Sequence, residues 1–426
     1  MTDVRTRTYL FALVDGGGTV PPELGAVRRL VARGHHVTVL GEDSMRIETE
    51  ATGATFRPWV VAPNKAGRRQ EDDRFADWRI SNPLQLMPLL LEQQFVGPAP
   101  GYATDVRAAI TARHPDLVVC SFFAYGAMIG AESAGVPFDV LLPNAYLLPA
   151  PGMPAFGIGA QPARGPLGRL RDTAVNGIAG RLWDKGVPDL NRLRAELALP
   201  PIDHFFDQAH RARRHLVLTS AAFDFPAELP DHVRYVGAVL DDPAWAATAW
   251  TPPPGDHPLV LVALSSTFQD QVGCLQRIVD ALGTLPVRGI VTTGPALDPS
   301  AIRAPGNVTV VAAAPHSEVL RDAAAIVTHG GHGTVVRALA AGVPLVVLHH
   351  GRDQADNAAR VVARGAGLSV KRTAPPAKIA AAVRRLIDEP SFRAGAGELG
   401  AAIRRDAESG ALVRELEDLP LTEPAR

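Results

Sequence analysis

The chain has 426 residues, 46% hydrophobic and 20% charged, with 43 basic against 44 acidic side chains and a formal net charge of −1. Such a length suggests two domains, the apolar content is ample for large cores, and the balanced charge gives no reason to expect nucleic acid or an anionic membrane as partner. Two cysteines, Cys120 and Cys274, are too few for a disulfide framework and fit a reducing cytoplasm. The N-terminal apolar stretch is about six residues, too short for a signal-peptide core. No run of about 18 apolar residues marks a membrane span. A cytoplasmic protein without membrane insertion, monomeric or homodimeric, is expected.

In chain order, Thr8–Val14 (TYLFALV) is a continuous apolar run, the pattern of a buried parallel strand. Asp15–Gly18 (DGGG) turns the chain. Pro21–Gly34 then reads as a helix: Pro22 suits its first turn, Leu24, Val27, Leu30 and Val31 share one face, and Gly34 stops it. His36–Leu40 is the next strand, which completes a βαβ unit with an expected right-handed crossover. Pro115–Cys120, a small-residue helix through Ala134 and Val136–Leu142 repeat the pattern. Residues 63–103 and 146–190, rich in Pro, Gly and aromatics, read as irregular segments or short helices lining a site. His215–Ser220 reads as the last strand of this half.

Asp241–Pro258, dense in Pro, Asp and Gly, marks a linker. Six further strands are expected at residues 259–266, 287–294, 308–315, 324–331, 343–350 and 367–370, with helical patterns between them. The fold class is therefore α/β, two doubly wound Rossmann-like domains facing across a cleft. The expected boundaries are 1–225 for the first domain, 226–257 for the linker and 258–405 for the second domain. Residues 406–426 are expected to form a terminal helix that packs back on the first domain. Ligands in such sheets sit at the carboxyl ends of the strands, so the loops after each strand are the candidates for function.

One of these loops is chemically distinctive. Residues 324–342 read as strand, glycine-rich loop, helix and glycine stop. A helix N-terminus suits a phosphate, and Gly330, Gly331 and Gly333 let backbone approach it. Thr334 adds a hydroxyl, and His329 stands at the strand end; a tight turn without ligand is the plain alternative. In the next unit, Asp353 and Gln354 lie at the loop–helix junction. An acid beside an amide suits vicinal hydroxyls, as on a sugar, although Asp353 also suits a helix cap.

The run HGGHGTVVRALAAGVPLVVLHHGRDQADNAARV, residues 329–361, resembles the donor-binding signature of the GT-B fold, nucleotide-sugar-dependent glycosyltransferases that glycosylate macrolides and other natural products. Weaker similarity reaches the N-terminal βαβ, LSSTFQD and APHSEVL. The resemblance implies a sugar transfer with inversion, from a UDP- or dTDP-sugar to a bulky hydrophobic aglycone, without cofactor or metal. It implies that His329, Gly331, Gly333 and Thr334, with Ser266 and Thr267, hold the donor diphosphate. The backbone near Ala313 and Ala314 would hold the nucleobase, and Asp353 and Gln354 the sugar hydroxyls. His332 fills a position that the family varies freely.

The catalytic dyad of many relatives is absent. Gly17 stands where the general-base His would sit, and Ser121 where its orienting Asp would sit. Three readings stay open. Another group serves as base, with Asp15 and Thr19 as candidates; or the acceptor is acidic enough that positioning dominates; or the chain binds a sugar nucleotide as an impaired or auxiliary protein. Asp15 also suits a cap on the glycine turn, and Thr19 the N-cap of the helix. The segment DGGGTVP, with Glu42 at the next strand end, is an incomplete dinucleotide fingerprint. Trp78, Phe95, Phe122, Tyr125 and Tyr146 are the candidate acceptor-binding residues, each equally at home in a core.

Overall fold

A computed structural model describes residues 5–72, 75–80, 83–246 and 248–419. The first sheet contains β1 (Thr8–Ala12), β2 (His36–Gly41), β3 (Thr55–Pro58), β4 (Leu117–Ser121), β5 (Phe138–Leu142), β6 (Arg214–Val217) and β7 (Val233–Tyr235), in the order β3-β2-β1-β4-β5-β6-β7. The second contains β8 (Leu259–Ala263), β9 (Arg288–Thr292), β10 (Val308–Val311), β11 (Ala323–Thr328), β12 (Leu345–Val347) and β13 (Gly367–Ser369), in the order β10-β9-β8-β11-β12-β13. Every pairing is parallel.

Alternation along each central strand splits its side chains between two cores. Leu10 and Ala12 enter one layer of the first domain, and Tyr9, Phe11 and Leu13 the other. Leu259, Leu261 and Ala263 likewise part from Val260 and Val262. Both faces of a parallel sheet are covered by helices, which is why these strands read as unbroken apolar runs. Strand order reverses between β1 and β4, and again between β8 and β11. The loops after those four strands therefore open the crevice where such sheets hold ligands.

Three sequence expectations need correction. His215–Ser220 is not the last strand of its half: β7 follows it, inside the stretch expected to be linker. With three residues at a sheet edge it is too short to show a periodicity. Residues 166–183, within a stretch expected to be irregular or short-helical, are a single helix of 18 residues, and none of its residues is buried, so no apolar face betrays it. The terminal helix is two helices, Pro390–Glu408 and Ala411–Glu417, parted at Gly410 with φ 72°. The second lies on the first domain: Leu412 and Leu416 join its core, and the Tyr9 hydroxyl donates to the Leu416 carbonyl at 3.2 Å.

A buried ion pair ties the domains beside the linker. Arg360, on the second-domain helix Gln354–Ala363, donates through Nε and Nη2 to Asp224 Oδ1 at 2.9 and 2.7 Å, with the two side chains 4% and 1% exposed. Asp224 Oδ2 also accepts the Tyr146 N–H and the Tyr235 hydroxyl, each at 2.8 Å. Arg360→Ala strands a buried carboxylate and is expected to cost about 3–5 kcal/mol. Urea unfolding measures this, and a joint Arg360→Met, Asp224→Leu variant should recover most of the loss.

Candidate active site

A cavity of about 830 Å³ lies between the carboxyl ends of the two sheets. The second domain supplies its polar wall. β11 ends at Thr328, His329 follows, and Gly331 caps the nine-residue helix His332–Ala340. Gly330 has φ 98°, and a Cβ there would lie 2.7 Å from Val347. A Cβ on Gly331 would meet the His329 ring at 2.7 Å, so a glycine is required for that ring to lie over the loop. Burial, with His350 and Arg352 nearby, pushes the His329 pKa down to about 3 against a hydrogen bond to the Ala263 backbone, so the ring is neutral and carries a single N–H. His332 also borders the cavity; burial lowers its pKa to about 3, and its Nε2 has no partner.

Beside this loop, Ser266, Thr267 and Thr334 all border the cavity. Ser265 Oγ lies 3.2 Å from Thr267 Oγ1, which also accepts from Arg352 at 3.2 Å. Asp353 stands at the N-cap position of its helix without making a cap bond. Its Oδ2 instead accepts from Asn357 at 2.7 Å, and burial raises its pKa to about 6 against that bond. Gln354 borders the cavity, but its amide is largely committed: Oε1 accepts the His350 and Gly351 N–H groups and Nε2 donates to Gln269 at 2.8 Å. Ala313 and Ala314 do not border the cavity; Thr292, Gly294 and His316 line it there, and His316 Nε2 is 3.0 Å from the Thr292 hydroxyl.

The first domain supplies the opposite wall. Trp78, Phe95 and Phe122 border the cavity, whereas Tyr125 is wholly buried in the core behind them and Tyr146 borders a small adjoining pocket. Trp78 meets Phe268 of the second domain edge to face at 5.2 Å, and Asp77 takes a two-point ion pair from Arg352 at 2.7 and 3.2 Å. Arg352 holds φ 56°, a left-handed conformation that costs a non-glycine residue about 1–2 kcal/mol. The bridges across the cleft hold it there.

Asp15 is placed as an anchor. Its Oδ2 accepts from the Ser44 hydroxyl at 2.6 Å and from Arg68 at 2.7 Å, and Oδ1 accepts the Gly17 N–H at 2.8 Å. Burial alone would raise its pKa, but Arg68, Lys65 and Ser44 together hold it below the usual carboxylate range. Thr19 sits at the N-cap without a cap bond, and its buried hydroxyl has no partner. Ser121 ends β4, buried and unpartnered. Gly17, with φ 73°, lies against the facing loop: a Cβ there would stand 2.4 Å from Thr267 Cγ2. The space a side chain at position 17 would take is thus filled by the other domain.

Sequence reasoning missed one carboxylate, Glu23, and a cation, Arg337, and read Glu42 only as part of an incomplete dinucleotide fingerprint. Glu42 borders the cavity at the end of β2, accepts the Asp15 N–H, and is raised by burial to about 7. Glu23 lies wholly buried beneath the Asp15–Thr19 loop with both oxygens unpartnered; Ser121 is close but forms no well-aligned bond. Burial drives the Glu23 pKa well above the carboxylate range. Arg337 borders the cavity one turn into the glycine-loop helix and donates to the Asp241 carbonyl at 2.9 Å. A polar residue ending an apolar strand was the available signal for Glu42.

Two parallel sheets facing across a cleft, one wall a glycine loop and helix N-terminus, the other apolar, define the GT-B class of glycosyltransferases. The erythromycin biosynthesis protein CIII-like, C-terminal domain family matches residues 276–419. The 4′-demethylrebeccamycin synthase of Lentzea aerocolonigenes is 30% identical over 405 residues, 92% of this chain and 94% of that one. The oleandomycin glycosyltransferase of Streptomyces antibioticus is 29% identical over 80% of this chain and 74% of its own. The crystal structure of CalG4, the calicheamicin glycosyltransferase, superposes with a TM-score of 0.75 at 25% identity over 97% of this chain and 98% of that one. The chain belongs to the GT-B natural-product glycosyltransferases.

A side chain at position 17 must bear both the left-handed backbone and the Thr267 contact. Gly17→His is therefore expected to lower turnover and to reduce stability by about 1–2 kcal/mol rather than restore a dyad. Thr267→Ala in the same chain should relieve the steric part; melting curves and initial rates report both.

Proposed function

We propose that the protein is an inverting, metal-independent glycosyltransferase that moves a sugar from a UDP- or dTDP-sugar to a bulky apolar acceptor. The observation that carries this reading is the two-sided cavity, with a helix N-terminus and hydroxyls on one wall and aromatic side chains on the other. The donor diphosphate rests on the N-terminus of the helix His332–Ala340, with His329, Thr334, Ser266 and Thr267 donating to its oxygens. Asp353 accepts from sugar hydroxyls, and Gln354 chiefly shapes the loop below them. The sugar acceptor lies against Trp78, Phe95 and Phe122, with Phe156 and Ile158, 45% and 51% exposed, at the mouth. Relatives named as a 4′-demethylrebeccamycin synthase and an oleandomycin glycosyltransferase support a natural-product acceptor.

Transfer forms a bond from the acceptor atom to the anomeric carbon, breaks the bond to the diphosphate and releases one proton. Asp15, ion-paired and held ionised, is a poor receiver of that proton. Glu42 is better suited, because a base with a pKa near the working pH is the most effective and burial sets Glu42 at about 7. The rate should rise with pH through about 7 as Glu42 ionises. Stability moves the other way: the folded-state pKa lies above the ordinary glutamate value of 4.5, so the Glu42 contribution is present below that value and is lost as pH rises through about 7.

The first experiment is a calorimetric titration with UDP and dTDP in the presence of chelator. Tight binding of one of them selects the donor series; binding of neither overturns the reading. His329→Ala and Asp353→Ala should each weaken donor use by about tenfold or more. Glu42→Gln should keep nucleotide binding, lose the rise near pH 7 and slow transfer by about 10²–10⁴. An unchanged pH profile in that variant removes Glu42 from the chemistry. Donor binding with no transfer to any acceptor would favour the auxiliary reading, to which the closed Gly17 position lends support.

A further inference from the structure

Three histidines meet at the end of the first domain away from the cleft. His210 ends the short helix Asp207–His210, His215 is the second residue of β6, and His232 directly precedes β7. One ring nitrogen from each lies within 4.8 Å of those of the other two. His210 Nδ1 is 3.2 Å from His232 Nε2, and the His215 ring meets that of His232 at 4.5 Å between centroids. These strands are parallel, so their amino ends point away from the cavity that lies at their carboxyl ends.

The tautomers carry the argument. His215 is fully buried, and its Nε2 lies 2.8 Å from the Ala209 carbonyl, so Nε2 holds the proton. Its Nδ1 is then a bare lone pair, buried without a donor. A buried acceptor left unsatisfied is costly, and a ring N–H held by a backbone carbonyl is the usual support of a metal-ligating imidazole. His210 Nδ1 and His232 Nε2 face each other at hydrogen-bond distance, so at most one of the two nitrogens carries a proton there. Burial, and repulsion among the rings and from Arg214 and Arg234, lowers the pKa of all three, His215 to about 3. Two nitrogens on a tetrahedral ion with bonds of 2.0–2.1 Å are about 3.4 Å apart, close to the separation of His210 and His232.

We propose that His210, His215 and His232 bind one zinc-class divalent cation, with water in the fourth position, as a structural site separate from the donor cavity. The ion ties the short helix, β6 and the loop before β7 together, three segments that otherwise meet near the edge of the sheet. The flanking cations do not forbid it: Arg214 and Arg234 are both drawn to Glu415, at 3.1 and 3.5 Å. Asp207 and Asp231 add negative charge near His210 and His232.

The test uses tag-free protein, stripped with chelator and titrated with Zn²⁺ by calorimetry, and with Co²⁺ by visible absorption. One equivalent is expected to bind, with the intense absorption of tetrahedral cobalt and a raised melting temperature. His210 and His232 are only partly buried, so His210→Gln and His232→Gln should fold, and each should weaken binding by about 100-fold. UDP or dTDP binding by the stripped protein should not change. Absence of stoichiometric binding, or a loss below about tenfold in both variants, overturns the site.

Discussion

Arg360 and Asp224 are almost wholly withdrawn from water, and neither charge is tolerable there without the other. Asp224 sits where the first domain gives way to the linker, and Arg360 on the helix that begins at Gln354 beside the cavity. Around it the Tyr146 N–H and Tyr235 hydroxyl complete Asp224, and the Arg360 guanidinium lies 4.6 Å over the Phe225 ring. One turn earlier on the same helix, Asp356 accepts the N–H groups of Gly157 and Gly159 at 2.6 and 2.8 Å. One helix thus presents Asp353 to the cavity at its start and anchors the other domain with its next two turns. Its position sets the distance between the two walls of the site.

That distance accounts for the unusual chemistry of the first-domain loop. At Gly17 the two domains touch so closely that no side chain fits without movement. An imidazole there and the present approach of Thr267 exclude each other. The carboxylates nearby are sorted by their surroundings. Asp15 has two cations and a hydroxyl and is held ionised; Glu42 has a single backbone N–H and titrates near 7; Glu23 has no partner and stays neutral longest. Three similar groups within one βαβ unit thereby acquire three different protonation ranges, which is the usual way a fold separates structural from reactive acids.

Legibility varied with the range of the interaction involved. The central strands were readable because burial on both faces leaves an uninterrupted apolar run, and the helix after β1 because its apolar spacing and flanking Pro and Gly agree. β7 was not, because three edge residues carry no period. The helix at residues 166–183 was not, because it buries nothing. The glycine loop at residues 329–334 was legible as a tight strand-to-helix turn, since its glycines answer local backbone and contact demands. Tyr125 and Tyr146 were not separable from cavity aromatics, since their composition and neighbours are alike and only the packing puts them behind the wall.

The amino-acid sequence by itself determined two parallel α/β domains, the loops that border the cavity, and the glycine turn that opens one of its helices, because each follows from periodicity and local backbone geometry. Tertiary structure alone decided which carboxylate is an anchor and which is available, how Gln354 spends its amide, and that Thr267 occupies the space at Gly17. It also brought His210, His215 and His232 together. These are matters of burial and partner distance between segments far apart in the chain, and electrostatic energy depends on both while sequence spacing records neither.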